Sequence, residues 1–236
     1  MGVYTSQLPA GLSDPLIDIE QVAREVLRRL AAQEGRKDGR MKEIKIPVGV
    51  SGRHVHLCRA DIDVLFGQGY ELKVLKDLYQ PGYFAAHERL LVVGRKRCLE
   101  EVRVLGPLRP KSQVELSQTE AIFLGLDLEL AESGADPLSK PILLVGPKGQ
   151  VQLPGSGGGG AYIARRHVHM NQSQADDLGL KEGDRVDVRV DGPRALTLHG
   201  VVVRIRPEWR YEIHLDTDES NASGVRNGDM VTMIVP

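Results

Sequence analysis

The stretch GVSGRHVHL, residues 49–57, shares the tetrapeptide Arg-His-Val-His with a second stretch, ARRHVHM, residues 164–170. The chain has seven histidines, and four of them lie in these two copies: His54, His56, His167 and His169. In an extended strand, residues i and i+2 point to the same face, so each copy places two imidazoles side by side. That spacing suits one transition metal. The two copies predict either one four-histidine site or two neighbouring metal sites.

A second internal repeat supplies one more candidate ligand to each histidine pair. The segment VRVLGPLRPKSQVELS, residues 102–117, aligns without gaps to VVVRIRPEWRYEIHLD, residues 201–216, at an offset of 99 residues. Each segment predicts two strands joined by a proline-containing connection, as in a β-hairpin with a longer loop. At this offset Glu115 falls opposite His214, and both residue types bind metals. We therefore expect Glu115 to be the third ligand in the first half and His214 in the second.

Short strands separated by glycine and proline dominate the chain from Met41 onward. Ile44, Ile46, Val48 and Val50 alternate with polar or small residues, which is the pattern of a half-buried strand. Many short strands with few helices predict small barrels rather than a doubly wound sheet. The predicted fold class is mainly β: two small β-barrel domains related by the internal repeat, with short capping helices and an N-terminal amphipathic helix.

The expected organisation has four segments. Residues 1–40 would form the N-terminal helix and a linker, residues 41–153 the first barrel, residues 154–160 a glycine-rich linker, and residues 161–236 the second barrel. The pattern leaves open whether the first strand, about residues 43–52, pairs with the second barrel.

The N-terminal segment has the features of an amphipathic helix. Asp14 suits an N-cap, Pro15 suits the first helical position, and Gly35 suits the end. Between them, apolar residues follow at helical spacing: Leu16, Ile19, Val22, Ala23, Val26, Leu27 and Leu30. A helix tethered by the polar linker of residues 35–40 either packs on the globular body or docks into a groove on another protein.

Composition excludes several classes of protein. The chain carries 31 basic and 32 acidic residues, and this balance argues against a nucleic-acid binder that works through bulk charge. No apolar run approaches the roughly 20 residues of a membrane span, and there is no secretory signal pattern. Cys58 and Cys98 lack the spacing of a disulfide framework. We expect a cytoplasmic protein without a membrane or nucleic-acid partner.

Four blocks of the chain resemble the PduL-type phosphate propanoyltransferases, bacterial phosphotransacylases that are often packaged in microcompartments. The blocks are GVSGRHVHL (49–57), LKDLYQPGYFA (75–85), GPLRPKSQVELS (106–117) and ARRHVHM (164–170). The resemblance covers roughly residues 41–236. It implies two small β-barrels that share a dinuclear zinc site, and reversible transfer of a propanoyl or similar short acyl group between coenzyme A and inorganic phosphate.

The resemblance also implies roles for individual residues. Two zinc ions per chain would be held by His54, His56, Glu115, His167, His169 and His214. The family's phosphate-binding arginine falls on Arg109, which is also the catalytic candidate. The phosphates of coenzyme A need a basic surface, and the candidates for it are Lys76 and Arg103, with Ser51 and Asn221 as polar neighbours.

The expected mechanism is direct displacement of coenzyme A by phosphate, without an acyl-enzyme. The chain has no GxSxG nucleophile elbow, and Cys58 is the only rival nucleophile near the expected site. One alternative is a dinuclear zinc hydrolase of acyl-CoA or esters. A second is a non-catalytic, zinc-stabilised adaptor that recruits a partner through the N-terminal helix.

The N-terminal helix resembles the peptides that direct enzymes into bacterial microcompartments. Residues 14–34 are therefore expected to contact shell or cargo proteins, which would place the enzyme in the microcompartment lumen, for example in propanediol degradation. An exposed apolar stripe also promotes self-association, and we expect a homo-oligomer, most simply a dimer. The pattern leaves open the choice between propanoyl and acetyl and the identity of the metal.

Overall fold

The computed structural model of the protein describes residues 41–132 and 138–236. Strands predominate in this part of the chain, which carries fifteen strands and four short helices. None of these helices has the length and apolar character needed to cross a membrane. The predicted N-terminal helix and its linker, residues 1–40, lie outside the described residues.

The elements follow one another in a regular order. The strands are β1 (Lys42–Ser51), β2 (His54–His56), β3 (Val74–Asp77), β4 (Phe84–Val93), β5 (Cys98–Gly106), β6 (Gln113–Leu116), β7 (Leu130–Ala131), β8 (Ile142–Val145), β9 (Gln150–Leu153), β10 (Gly160–Ala164), β11 (His167–Met170), β12 (Arg185–Val190), β13 (Leu196–Ile205), β14 (Glu212–Asp216) and β15 (Met230–Val235). The helices are α1 (Arg59–Phe66), α2 (Gln118–Leu124), α3 (Gln172–Leu178) and α4 (Thr217–Ser223).

Six of the strands close into a barrel, in the order β1-β14-β11-β13-β12-β15. Alternate residues of each strand point into the barrel and fill its core. In β12, for example, Val186, Val188 and Val190 are buried, and the residues between them are less buried. The barrel core is aliphatic, since its fully buried side chains include Ile46, Met233 and several valines. Burial of such side chains stabilises by roughly 1.5–3 kcal/mol each.

The remaining nine strands form a second sheet with its own aliphatic core. Its order is β7-β10-β6-β2-β5-β4-β8-β9, and β3 pairs with β4 beside this path. The mainly β class is therefore confirmed, with one closed barrel. The relation of two barrels by an internal repeat stays a prediction, because the path of the second sheet runs from β7 to β9 without closing among the described strands.

Strands β1 and β10 each lead into a His-x-His pair, yet each belongs to the sheet that holds the other pair. In the barrel, β1 runs parallel to β14 and aligns Gly49 with His214. In the nine-stranded sheet, β10 runs parallel to β6 and aligns Tyr162 with Glu115. Strand pairing therefore does not follow the boundary expected after residue 160. The chain crosses between the sheets immediately before each histidine pair, which brings the two pairs toward the same region.

The glycine-rich stretch of residues 154–160 forms a tight turn in this structure. The Gly155 amide donates to the Gly159 carbonyl at 2.7 Å, and the Ser156 amide donates to the Ser139 carbonyl at 2.8 Å. Gly159 has a φ of +92°, and a Cβ there would lie 2.5 Å from the Ser112 carbonyl oxygen. Glycine at position 159 therefore allows this turn to pack closely against the connection between β5 and β6.

Each short helix directly follows a strand that carries site residues. Helices α2, α3 and α4 begin with reciprocal capping boxes, formed by Ser117 with Glu120, Asn171 with Gln174, and Asp216 with Glu219. Such a cap contributes about 1 kcal/mol. Cys58 occupies the N-cap position of α1, where its side chain makes no capping hydrogen bond. The three capping boxes thus mark the ends of strands β6, β11 and β14.

Candidate metal and substrate site

Strand register brings the third candidate ligand of each half opposite its histidine pair. Strand β2 lies antiparallel to β6, so His54 faces Glu115 and His56 faces Gln113. Strand β11 lies antiparallel to β14 in the same register, so His167 faces His214 and His169 faces Glu212. The 99-residue offset from Glu115 to His214 therefore corresponds to equivalent positions in two strand pairs.

The first cluster consists of His54, His56 and Glu115, each with one donor atom within 4.8 Å of the others. The Nε2 atoms of His54 and His56 face the carboxylate, at 3.4 Å and 3.9 Å. Their Nδ1 atoms lie 2.8 Å from the Gly52 carbonyl and 3.2 Å from the Leu105 carbonyl. Because each Nδ1–H can donate to a carbonyl, both Nε2 lone pairs point toward the centre of the cluster.

The second cluster consists of His167, His169 and His214, again with donor atoms within 4.8 Å of one another. His167 Nδ1 lies 2.8 Å from the Arg165 carbonyl, which matches the environment of His54 in the first cluster. His214 Nε2 lies 2.9 Å from a carboxylate oxygen of Glu212. The His169 ring stacks on Trp209, with ring centroids 3.8 Å apart.

Burial and neighbouring charges set the protonation of both clusters. Burial lowers the pKa of His56, and the nearby His54 lowers it further, to well below its usual value. Burial and the neighbouring His214 lower the pKa of His167 to about 3. The pKa of His169 is also lowered, for the same reasons. These three imidazoles are therefore neutral at pH 7, which is the protonation state that binds a metal.

Glu115 and His54 form the charged part of the first cluster. Burial alone would raise the pKa of the Glu115 carboxyl, but His54, His56 and Arg109 outweigh this and hold it well below its usual value. Burial would lower the pKa of His54, and the Glu115 carboxylate outweighs that and raises it. The carboxylate is therefore ionised, and its negative charge would attract a metal cation to the first cluster.

The donor set fits a pair of metal ions. Five imidazoles and one carboxylate are the nitrogen and oxygen ligands that zinc accepts. The Nδ1 atom of His169 is buried and has no hydrogen-bond partner among the described residues. A buried polar atom without a partner is costly unless another group binds it. This orphaned nitrogen, together with converging neutral imidazoles, is what a metal site without its ion would show.

Both clusters line one cavity of about 550 Å³. The basic side chains that line it are Arg53, Lys76, Arg103, Arg109, Arg165, Arg204 and Arg206, and the acidic ones are Glu115, Glu212 and Asp216. Apart from the histidines, cations outnumber anions by seven to three, so the cavity favours an anionic ligand. Its size is that of a small-molecule site.

Arg109 lies in the connection between β5 and β6, beside the first cluster. Its NH1 atom donates to Gln113 Oε1 at 2.7 Å and lies 3.6 Å from Glu115 Oε1. Its backbone amide donates to the Leu57 carbonyl at 3.0 Å, which ties the connection to the end of β2. The guanidinium is therefore held at the cavity, within reach of any ligand beside Glu115.

The structure brings three of the four expected coenzyme A residues to the cavity. Ser51, Lys76 and Arg103 line it, and Arg103 NH1 donates to the Ala86 carbonyl at 2.7 Å. Asn221 is exposed on α4 and is not among the lining residues. Asn227 lines the cavity instead, and its side chain accepts from the Val50 amide at 3.0 Å. The Gly-x-x-x-Gly turn around Asn227 is the sequence signal that could have pointed to it.

Sequence reasoning missed several residues that contact the clusters. Glu212 precedes His214 by two positions on one strand, so strand parity could have identified it. Tyr162 donates to Glu115 Oε1 at 2.9 Å, and its position follows from the pairing of β10 with β6. Gln80 reaches Glu212 from a turn 132 residues away in the sequence, and no local pattern indicates such a contact.

Two clusters of side chains that could hold metal ions open on one cationic cavity, which is the form of an enzyme site for anionic substrates. Comparison with known proteins identifies the chemistry. The family model for phosphate propanoyltransferase matches residues 47–226, and the chain belongs to this family of acyltransferases. The family and enzyme class predicted from the sequence are confirmed.

Individual relatives cover most of the chain. The phosphate propanoyltransferase of Lachnoclostridium phytofermentans is 44% identical over 217 residues, which cover 92% of this chain and 98% of that protein. That of Thermotoga maritima is 44% identical over 194 residues, 82% of this chain and 90% of that protein. That of Rhodopseudomonas palustris is 39% identical over 218 residues, 90% of this chain and 95% of that protein.

Proposed function

We propose that this protein transfers a propanoyl or similar short acyl group reversibly between coenzyme A and inorganic phosphate, at a dinuclear zinc site. The observation that carries the proposal is the meeting of both three-residue clusters and Arg109 in one cationic cavity. Family membership supports the acyl transfer. The lowered pKa values of His56, His167 and His169, which keep these imidazoles neutral, support the binding of metals.

One zinc ion would be held by His54, His56 and Glu115, and the other by His167, His169 and His214. Zinc would supply Lewis acidity to polarise the thioester carbonyl and neutralise the charge of phosphate and thiolate. Three protein ligands per ion leave positions open for substrate, as in catalytic rather than structural zinc sites. This coordination favours an enzyme over an adaptor.

Arg109 would bind the phosphate. The guanidinium offers a planar fork of donors that matches phosphate oxygens. Its NH1 atom already lies between Gln113 Oε1 and Glu115 Oε1, so phosphate would arrive beside the first cluster. Because the connection is tied to Leu57 and Cys58 through backbone amides, the guanidinium is held before the substrate arrives. Such preorganisation lowers the barrier to displacement.

The reaction needs no acyl-enzyme. An anionic oxygen of phosphate attacks the thioester carbonyl carbon and forms the new C–O bond. The C–S bond then breaks, and its electron pair leaves on sulfur as the thiolate of coenzyme A. The attacking oxygen is already deprotonated, so no general base is required. Cys58 supports this route, because it sits at the N-cap of α1 and is not among the residues that line the cavity.

The cavity wall would bind coenzyme A. Lys76 and Arg103 would pair with its phosphates, and Ser51 would add a hydrogen bond at the end of β1. Asn221 belongs to the same proposal, as an exposed contact on α4 outside the cavity lining. Pairing of a side-chain cation with a phosphate is strong and salt-dependent when it is exposed.

Residues 14–34 would direct the enzyme to microcompartment shell or cargo proteins, and the enzyme would act there as a homodimer. Deletion of residues 1–38 is expected to leave phosphate-dependent activity intact and to abolish co-localisation with shell proteins. Equal co-localisation of the truncated and full-length proteins would contradict this part of the proposal.

The decisive test of the activity is release of free thiol from propanoyl-CoA, with and without phosphate and with and without a chelator. The proposal predicts release only when both phosphate and metal are present. Phosphate-independent release would instead identify a hydrolase, and no release under any condition would favour the adaptor.

A further inference from the structure

A buried glutamine links the two sheets beside the second cluster. Gln80 lies in the turn between β3 and β4 and is 4% exposed. Its Nε2 atom donates to the Arg210 carbonyl at 3.0 Å and to Glu212 Oε2 at 2.9 Å. Its Oε1 atom accepts from the Arg210 amide at 3.0 Å. The amide is thus bonded on both sides to the barrel, although its own strands belong to the nine-stranded sheet.

Glu212 connects this glutamine to a candidate ligand. The same oxygen, Oε2, that accepts from Gln80 lies 2.9 Å from His214 Nε2. When Nε2 donates its proton to the Glu212 carboxylate, the lone pair of His214 lies at Nδ1. Glu212 itself is not one of the three residues whose donor atoms converge. A carboxylate that holds a ligating histidine from behind fixes the ring's tautomer and orientation.

The backbone of β1 makes room for this carboxylate. A Cβ at Gly49 would lie 2.6 Å from Glu212 Oε1 and 3.1 Å from His214 Cδ2. The equivalent position beside the first cluster is Tyr162, whose hydroxyl donates to Glu115. The two clusters therefore differ in design, and only the second has a carboxylate behind one of its imidazoles among the described residues.

We propose that Glu212 is a positioning residue for His214 and that Gln80 holds Glu212 in place, so that the turn of residues 78–83 sets the metal affinity of the second cluster. This inference rests on the proposed function in one respect, namely that His214 binds a metal. Leu78, Tyr79 and Tyr83 of the same turn line the cavity. This part of the cavity wall is thus joined to His214 through two hydrogen bonds, from Gln80 to Glu212 and between Glu212 and His214.

The test is zinc affinity, measured on the full chain by competition with a chromophoric chelator. Glu212→Gln keeps the shape and removes the charge, and it is expected to weaken one of two zinc sites about 10–100-fold. Gln80→Met keeps the length and removes both hydrogen-bonding groups, and about tenfold weaker binding is expected. Gln172→Leu is the matched control, because Gln172 is exposed on α3 and bonds to Asp176 of its own helix. It should bind zinc as the wild type does.

The double variant Gln80→Met/Glu212→Gln tests whether the two residues act in series. If Gln80 acts through Glu212, the double variant binds zinc no more weakly than Glu212→Gln alone. If the losses of zinc affinity in the two single variants add up in the double variant, Gln80 does not act through Glu212, and this part of the inference is overturned. If Gln80→Met does not fold, Gln80→Ala serves in its place, because it leaves room for water beside Glu212 and Arg210.

Two further readouts separate the outcomes. Melting of the zinc-free variants measures folding alone. A lower melting temperature with unchanged zinc affinity would assign Gln80 and Glu212 a structural role and overturn the inference. A wild-type protein that binds two zinc ions and releases thiol, with variants of unchanged affinity, would also overturn it while the proposed function stands. A wild-type protein without zinc or thiol release would overturn the proposed function itself.

Discussion

The two clusters occupy the same register in two strand pairs but place their carboxylate differently. In the first, Glu115 belongs to the donor set, and Tyr162 and Arg109 contact it from outside. In the second, a third imidazole takes that position, and the carboxylate of Glu212 lies behind it. The negative charge of the carboxylate therefore lies within the donor set of the first cluster, and one hydrogen bond away from the donor set of the second. Two strand pairs with the same register can thus differ in their electrostatics because a few side chains differ.

This difference gives each cluster its own neighbours. The first lies beside Arg109, so it is suited to the side of the cavity where phosphate would bind. The second consists of three imidazoles, one of them stacked on Trp209, so it is suited to a soft ligand such as a thiolate. If each cluster holds a metal ion as proposed, these surroundings would give the two ions different ligands.

Loss of one histidine from either cluster is expected to have the largest effect. His54→Ala and His167→Ala should each lower phosphate-dependent thiol release by at least about 100-fold, because both reacting groups lose their alignment. His199→Ala is the control, since its side chain is 76% exposed and pairs with Asp187. Full activity in one of the two cluster variants would show that only one cluster serves the reaction.

The Arg109→Lys variant tests whether phosphate binds beside the first cluster. We expect KM for phosphate to rise about tenfold, because a hydrogen bond to a charged group contributes about 1.5–3 kcal/mol. KM for acyl-CoA should stay close to wild type. Arg89→Lys, at an exposed pair with Glu101, is the control. A rise confined to KM for acyl-CoA would indicate that Arg109 binds acyl-CoA and not phosphate.

Matched changes at Gly49 and Tyr162 probe the two clusters without removing a ligand. Gly49→Ala places a methyl group against Glu212, and overpacking should lower the free energy of unfolding of the zinc-free protein by about 1–3 kcal/mol. Tyr162→Phe removes the hydrogen bond to Glu115 and should cost about 1–2 kcal/mol. Urea unfolding measures both. A neutral Gly49→Ala would refute the close packing described for the second cluster.

The smallest effects are expected at the arginines that precede the histidine pairs. Arg53 pairs with Glu120 and Arg166 with Glu219, and both arginines are about a third or more exposed. Arg53→Gln and Arg166→Gln should therefore each lower the free energy of unfolding by less than about 1 kcal/mol. Here the two halves should behave alike. A loss several times larger in one half would reveal a role beyond an exposed ion pair.

Much of the candidate site could be predicted because its residues follow local rules. The i and i+2 spacing placed His54 beside His56, and the constant offset paired Glu115 with His214. Both depend on strand parity, which a sequence displays directly. Arg109 was identified by resemblance rather than by pattern, because an arginine in a turn has no local signature. Metal binding by these residues stays a prediction.

The rest depends on contacts between distant segments. The exchange of β1 and β10 between the sheets is a choice of strand partner, and an alternating apolar pattern suits either sheet equally well. The contact of Gln80 with Glu212 joins a turn to a strand 132 residues away. Asn227 lines the cavity and Asn221 does not, and the sequence could not show this because helix and turn positions depend on tertiary packing.

Zinc titration of the metal-free protein tests the central claim most directly. The chelated enzyme, supplied with propanoyl-CoA and phosphate, is titrated with zinc while free thiol is followed. A dinuclear zinc site predicts no release at the start and a rise that ends at two zinc ions per chain. Full activity at one zinc ion per chain, or release without zinc or without phosphate, would contradict it.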